Sequence, residues 1–105
     1  MRISYFDSEA FCGYKQITTF WQDFSIADVF GTKAIHDTYN RAVKEWKTNV
    51  KYFTELVMVL NWKSWQYANN PVLCELYANA YYKARDIALD TFKGDDLKYF
   101  LETTD

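Results

Sequence analysis

Glycine and proline are scarce in this chain of 105 residues, which contains three glycines and one proline. Folds made of many short strands need a turn every few residues, and these two residue types supply many of those turns. The scarcity therefore favours a few long elements, and long elements in a chain of this size are helices. The length corresponds to a single domain over residues 1–105.

Side chains that build metal centres and nucleophilic active sites are also rare. The one histidine is His36, and the two cysteines, Cys12 and Cys74, lie far apart in the chain. A zinc site needs three or four converging ligands, and a serine or cysteine nucleophile needs a neighbouring base. We therefore predict no catalytic residue, no metal site and no cofactor, so the protein is not expected to be an enzyme. We expect free thiols, with a Cys12–Cys74 disulfide as the alternative.

Strong net charge and long apolar runs are missing as well. The net charge is -2, so no strong electrostatic field is expected around the protein. No stretch approaches the roughly 20 apolar residues of a membrane span, and the beginning of the chain, MRISYFDSEAF, lacks the apolar core of a signal peptide. We expect a cytoplasmic protein that has no membrane partner.

Aromatic residues are abundant. The chain contains four tryptophans, nine tyrosines and eight phenylalanines, and half of all its residues are hydrophobic. This is ample material for a packed core, so a disordered chain is excluded. A domain of this size leaves about a third of its unfolded surface exposed. Some rings are therefore expected at the surface or against a partner.

A helical period runs through the middle of the chain. Apolar side chains recur every three or four residues at Ile35, Tyr39, Ala42, Trp46, Val50, Phe53, Val57 and Leu60. This stripe predicts one long helix that is capped by Thr32 and stopped at Asn69–Pro71. Its length makes a kink plausible near Thr48–Asn49 or Asn61.

A second long helix is predicted after this stop, with Asn70 as N-cap, Pro71 as first residue and Gly94 at its end. The short link forces the two helices into an antiparallel hairpin, in which large residues of the first helix face small ones of the second. The expected neighbours are Leu60 and Ala80, Val57 and Ala84, and Phe53 and Ile87.

Shorter helices are predicted on both sides of the hairpin. Residues 19–30 form one helix capped by Thr18 or Thr19 and ended by Gly31, or two short turns with a second start at Ser25. A short C-terminal helix begins at Asp95 or Asp96. Residues 1–18 are harder to interpret, with a short strand at RISYF and one helical turn at DSEAFCG. The predicted fold is all-α: a long antiparallel helical hairpin with a packed N-terminal helix and a short C-terminal helix.

The stretch Leu56–Leu60 consists of apolar residues alone, whereas a surface helix shows one apolar face. The second long helix covers one side of it. The side that bears Leu56 and Val59 needs another cover. Either the N-terminal helix, with Phe20, Trp21 and Phe24, provides it, or a second copy of the chain does, which would make the protein a structural homodimer.

Aromatic residues are concentrated at the closed end of the hairpin. Tyr81 and Tyr82 are adjacent and cannot both face the core, so some of these rings reach the surface. Exposed aromatic rings on a rigid helix pair are typical anchors of protein–protein interfaces. The predicted partner-binding residues are Trp62, Trp65, Tyr67, Tyr81 and Tyr82.

A row of basic residues follows the first long helix at Arg41, Lys44, Lys47 and Lys51. The row could contact phosphates of a nucleic acid. A solvated face is the simpler interpretation, since Glu45 and Glu55 can pair with Arg41 and Lys51 one turn away. Nucleic acid is therefore not the expected partner.

A small-molecule sponge is an alternative function from another class. The aromatic rings at the closed end of the hairpin would stack a nucleotide, and Arg41 or Lys63 would meet its phosphate.

Three stretches, FWQDFSIADVFG, TYNRAVKEWKTNVKYFTELVMVLNWKSWQ and LKYFLETTD, resemble a small domain of unknown function. That domain is carried by bacteriophages and other mobile elements of gut bacteria, and the resemblance covers about residues 18–105. It implies a compact, non-enzymatic protein that binds a host protein or protein complex, often to inhibit an immune system. The leading expectation is therefore a protein-binding module that inhibits or assists by occlusion.

Overall fold

The structure, a computed structural model, describes residues 15–104, with side chains from residue 20 onward. This part of the chain contains five helices and no strand: α1 (Lys15–Phe30), α2 (Thr32–Trp46), α3 (Val50–Gln66), α4 (Pro71–Thr91) and α5 (Gly94–Thr104). The predicted all-α class is confirmed. The strand and the helical turn predicted within residues 1–14 lie outside the described residues. None of the five helices has the length and apolar character needed to cross a bilayer.

The single long helix predicted from Thr32 is wrong, because two helices occupy its place. The break falls at Lys47–Asn49, where a kink was plausible. Asn49 has extended backbone, and its side-chain oxygen accepts a hydrogen bond from the amide of Tyr52 at 3.1 Å. Asparagine is a favoured N-cap because it satisfies an amide that the helix leaves without a partner. A new helix therefore begins at Val50, although the apolar period continues across the break.

Gly31 alone separates α1 from α2. Its φ of 110° lies in a region that side chains with a Cβ rarely adopt, so glycine suits the sharp change of direction. The predicted end of the helix at Gly31 is confirmed. Two predicted caps are wrong: Gly31 rather than Thr32 holds the N-cap position of α2, and α1 already begins at Lys15, ahead of Thr18 and Thr19.

The start of α4 follows its local sequence. The side chain of Asn70 accepts a hydrogen bond from the Leu73 amide at 3.2 Å, and Pro71 is the first helical residue, as predicted. The end differs, because α4 stops at Thr91 and Gly94, with a φ of +58°, opens α5 instead of closing α4. Phe92, in the link, contacts the rings of Phe53 and Phe100, each at 6.1 Å between ring centroids.

The most extensive helix contact joins α3 and α4, which are connected by residues 67–70. The core side of α3 carries large buried residues and that of α4 carries buried alanines: Phe53, Val57, Leu60, Ala80, Ala84 and Ala88. The sequence predicts small residues on the α4 side of this contact, but Tyr77 of α4 is completely buried as well. The individual neighbours proposed across the hairpin stay predictions.

The apolar stretch of α3 is covered within one chain. Leu56 and Val59 are completely buried, and α1 packs on both α2 and α3 with Phe20 and Phe24 in the core. The second cover that Leu56 and Val59 need is thus provided by the chain itself, whereas Met58 between them is half-buried.

Candidate functional site

A surface groove of about 260 Å³ lies between the last turns of α3 and the first half of α4. We call it the aromatic groove, and it is lined by Asn61, Ser64, Trp65, Ala68, Cys74, Ala78, Tyr81 and Tyr82. Three of the five predicted partner-binding residues, Trp65, Tyr81 and Tyr82, thus lie together. None of the lining side chains is charged, so an occupant would meet mainly ring faces and short side chains.

The two most exposed rings of this groove come from different helices. The side chain of Trp65 on α3 is 73% exposed and that of Tyr82 on α4 is 60% exposed. Tyr81 is half-buried and contacts Tyr82 edge-on, with 5.1 Å between ring centroids. Tyr81 therefore restricts one side of the Tyr82 ring. Large exposed aromatic rings are typical of binding anchors.

The other two predicted partner-binding residues do not line the groove. Trp62 is half-buried and packs against the hydrophobic core. Tyr67 stacks on Tyr77 at 6.0 Å between centroids, and its hydroxyl donates a hydrogen bond to Asp28 at 2.6 Å. These two side chains serve the interior of the fold.

A buried polar cluster joins α1 to α3, to the link after α3 and to α4. The carboxylate of Asp28 on α1 accepts hydrogen bonds from Lys63 at 2.9 Å, from Tyr67 and from Tyr77. Lys63 also donates to the Ser25 hydroxyl at 2.9 Å and lies 4.5 Å from the ring centre of Trp21. We call these side chains the Asp28 cluster. A buried charge is tolerated only when it is paired and hydrogen-bonded, and both conditions hold here.

The tyrosines of the Asp28 cluster are held in their neutral form. Burial and the hydrogen bond to Asp28 raise the pKa of Tyr67 to about 12. The same causes raise the pKa of Tyr77 further. Both hydroxyls therefore remain hydrogen-bond donors to the carboxylate across the physiological pH range.

Lys63 cannot act as the phosphate contact that the nucleotide alternative assigned to it. Its side chain is fully buried, and its ammonium group is already shared between Asp28 and Ser25. The nucleotide alternative is then left with Arg41 as its phosphate contact. A local signal was present in the sequence, because Lys63 follows Leu56 and Leu60 at helical spacing and so continues a core-facing row.

The predicted basic row does not lie on one helix. Arg41 and Lys44 belong to α2, Lys47 lies in the link and Lys51 belongs to α3. All four are exposed, which agrees with a solvated face. None of them lines either of the two grooves reported for this structure.

Glu55 was expected to face water beside Lys51, and this is wrong. The side chain is 1% exposed, and its Oε2 atom has no hydrogen-bond partner in the described structure. Burial raises the pKa of Glu55 to about 8, an effect that the nearby positive charge of Lys51 reduces. The carboxyl group is therefore mainly protonated at neutral pH.

Among residues 20–104, no three histidine, cysteine, aspartate or glutamate side chains come together as a metal site. Cys74 is a free, half-buried thiol at the aromatic groove. Cys12, its alternative disulfide partner, lies outside the described residues.

Comparison with protein-family models, curated proteins and solved structures finds no match to this chain. A functional proposal therefore rests on the geometry of the site.

Proposed function

We propose that the protein is a non-catalytic protein-binding module that acts by occlusion through the aromatic groove. The observation that supports this is the exposure of Trp65 and Tyr82 in a single groove. Burying a large apolar side chain contributes about 1.5–3 kcal/mol relative to leaving it in water. Single exposed rings are common on protein surfaces. Two rings that line one groove are different, because a partner that covers both gains binding free energy from a small area.

The helices that carry these rings favour binding without rearrangement. Tyr81 contacts Tyr82 edge-on, and α3 and α4 share the main core of the protein. Anchors that are already ordered lose little conformational entropy when they dock. The Asp28 cluster adds to this order by holding α1 against the same end of the hairpin.

The biological context of the proposal comes from the resemblance to a domain of bacteriophages and mobile elements. The target is then a cytoplasmic host protein or protein complex. We propose that it is a component of host defence. A rigid surface that covers a partner's working face needs no chemistry of its own, and so the proposal includes no catalytic role.

The test compares two double variants in quantitative pull-downs from a bacterial host lysate. Trp65→Ala with Tyr82→Ala removes both groove anchors. Val29→Ala with Phe30→Ala is the matched control, because these α1 side chains are 82% and 76% exposed and lie outside the groove. Circular dichroism should show unchanged helix content in both variants.

We expect the groove variant to lose a host protein that the wild type and the control both retain. Mass spectrometry identifies it, and titration of the purified partner then measures the loss of affinity. If the groove variant binds that protein as tightly as the wild type does, the aromatic groove is not the binding surface.

A further inference from the structure

A second groove, of about 290 Å³, lies between α2 and a different face of α4. We call it the His36 groove, and its lining residues are His36, Tyr39, Val72, Glu75, Leu76, Asn79, Ala80 and Lys83. His36 is exposed and lies at the edge of this groove.

The floor of the His36 groove is apolar. Ala80 is buried, and Leu76 and Tyr39 are half-buried. Burial raises the pKa of the Tyr39 hydroxyl, so this ring stays neutral at physiological pH. An apolar floor with a few polar groups around it is the usual construction of a small-molecule site.

The rim of the groove is rich in nitrogen donors. His36, Asn79 and Lys83 each present N–H groups, and all three side chains are exposed. Glu75 is the one acidic residue among the lining side chains. It precedes Lys83 by about two helical turns, which separates their backbones by roughly 12 Å. The acidic and the basic residue therefore lie at different positions along the groove, with Asn79 between them on α4.

We propose that the His36 groove binds a small organic acid. The apolar body of the ligand, about one ring in size, packs against Tyr39 and Leu76, and its carboxylate or phosphate accepts hydrogen bonds from His36 and Lys83. The volume of about 290 Å³ lies at the lower end for ligand sites, which fits a single-ring compound better than a dinucleotide. This site is separate from the aromatic groove and does not depend on the protein-binding proposal.

The experiment is an NMR titration with four probes that share a ring and differ in charge. The probes are phenyl phosphate, benzoate, benzyl alcohol and benzylamine. We expect amide shifts centred on the His36 groove for the two acids, with a roughly millimolar Kd, as is usual for ligands of this size. Benzyl alcohol should bind about threefold or more weakly, and benzylamine weaker still.

Charge variants test whether a positive charge at the groove strengthens the binding of phenyl phosphate. Lys83→Gln should weaken phenyl phosphate binding by about threefold to fivefold, whereas Glu75→Gln should leave it unchanged or strengthen it. Lys93→Gln, an exposed lysine outside the groove, is the matched control and should bind as the wild type does. All three positions are exposed, so folding should be retained, and the dispersion of the amide spectrum checks this.

Three outcomes overturn the proposal. The first is that neither acid causes shifts at the His36 groove in the millimolar range, and the second is that benzylamine binds as tightly as benzoate. The third is that Lys83→Gln and Lys93→Gln bind phenyl phosphate equally well. Shifts centred on the Trp65 indole would count with the first outcome, because they would assign the ligand to the aromatic groove.

Discussion

Replacing Asp28 by asparagine should destabilise the protein severely. The substitution preserves the shape of the side chain and one carbonyl oxygen, so Tyr67 and Tyr77 can keep part of their hydrogen bonding. It removes the negative charge that faces the fully buried ammonium group of Lys63. The variant therefore leaves a buried cation without its counter-ion and turns one of the two acceptor atoms into a donor.

The magnitude follows from the burial of the pair. Lys63 and Asp28 are 2.9 Å apart, with side chains that are 1% and 8% exposed, so water cannot replace the lost charge. Removing one partner of a buried ion pair costs about 3–5 kcal/mol. A domain of this length has a free energy of unfolding of roughly 5–15 kcal/mol. Asp28→Asn should therefore remove a large part of the stability.

The assay is urea denaturation followed by circular dichroism and by tryptophan fluorescence. Trp21, one of the four tryptophans, lies 4.5 Å from the Lys63 ammonium group, so part of the emission should follow the Asp28 cluster. Asp86→Asn, an exposed aspartate on α4, is the control and should change the unfolding free energy by less than about 0.5 kcal/mol. The double variant Asp28→Asn with Lys63→Met removes both charges and should recover much of the loss.

Two results would refute this reasoning. One is a loss of less than about 1 kcal/mol for Asp28→Asn, which would place the ion pair in contact with water. The other is a double variant whose loss equals the sum of the two single losses, since independent sites add and a coupled pair does not.

Two further predictions concern α3. The free energy of unfolding should fall by roughly 1–4 kcal/mol as pH rises from about 4.5 to about 8, because the unfolded chain releases the Glu55 proton before the folded protein does. Glu55→Gln should remove this pH dependence in denaturant titrations, and an unchanged slope would contradict the burial of an uncompensated carboxyl group. Asn49→Ala should lower stability by about 1 kcal/mol through loss of the N-cap. Thr48→Ala, next to it and exposed, should have little effect, and equal losses for both variants would argue against the cap.

Local signals predicted much of the fold. Gly31 and Pro71 act through their backbone preferences and Asn70 through its side-chain oxygen, and the predicted end of α1 and start of α4 are confirmed. The predicted stop at Asn69–Pro71 is three residues late, because α3 ends at Gln66.

At Asn49 the sequence predicts at most a kink, whereas one helix ends and another begins there, and the difference has a physical reason. Apolar periodicity reports which side of a chain faces the core, and α2 and α3 both face it, so the period passes through a point where the helix itself ends.

The candidate site was predicted in part. Adjacent rings such as Tyr81 and Tyr82 must point in different directions on a helix, which is why an exposed ring could be foreseen. The Asp28 cluster could not, because the partner of Lys63 lies 35 residues away and long-range pairing leaves no trace in local spacing. The His36 groove was missed for the same reason, since its sides come from α2 and α4.

The Asp28 carboxylate gathers donors from α3, from the link that follows it and from α4, and it is itself carried by α1. A partly folded molecule that lacks α1 or α3 leaves one charge of the pair unmatched, and one that lacks the link or α4 loses a tyrosine donor to the carboxylate. Partly folded intermediates therefore lose the interactions of the Asp28 cluster and are high in free energy relative to the native state. Unfolding should be cooperative, with helices that are lost together and few partly open forms for a protease to attack.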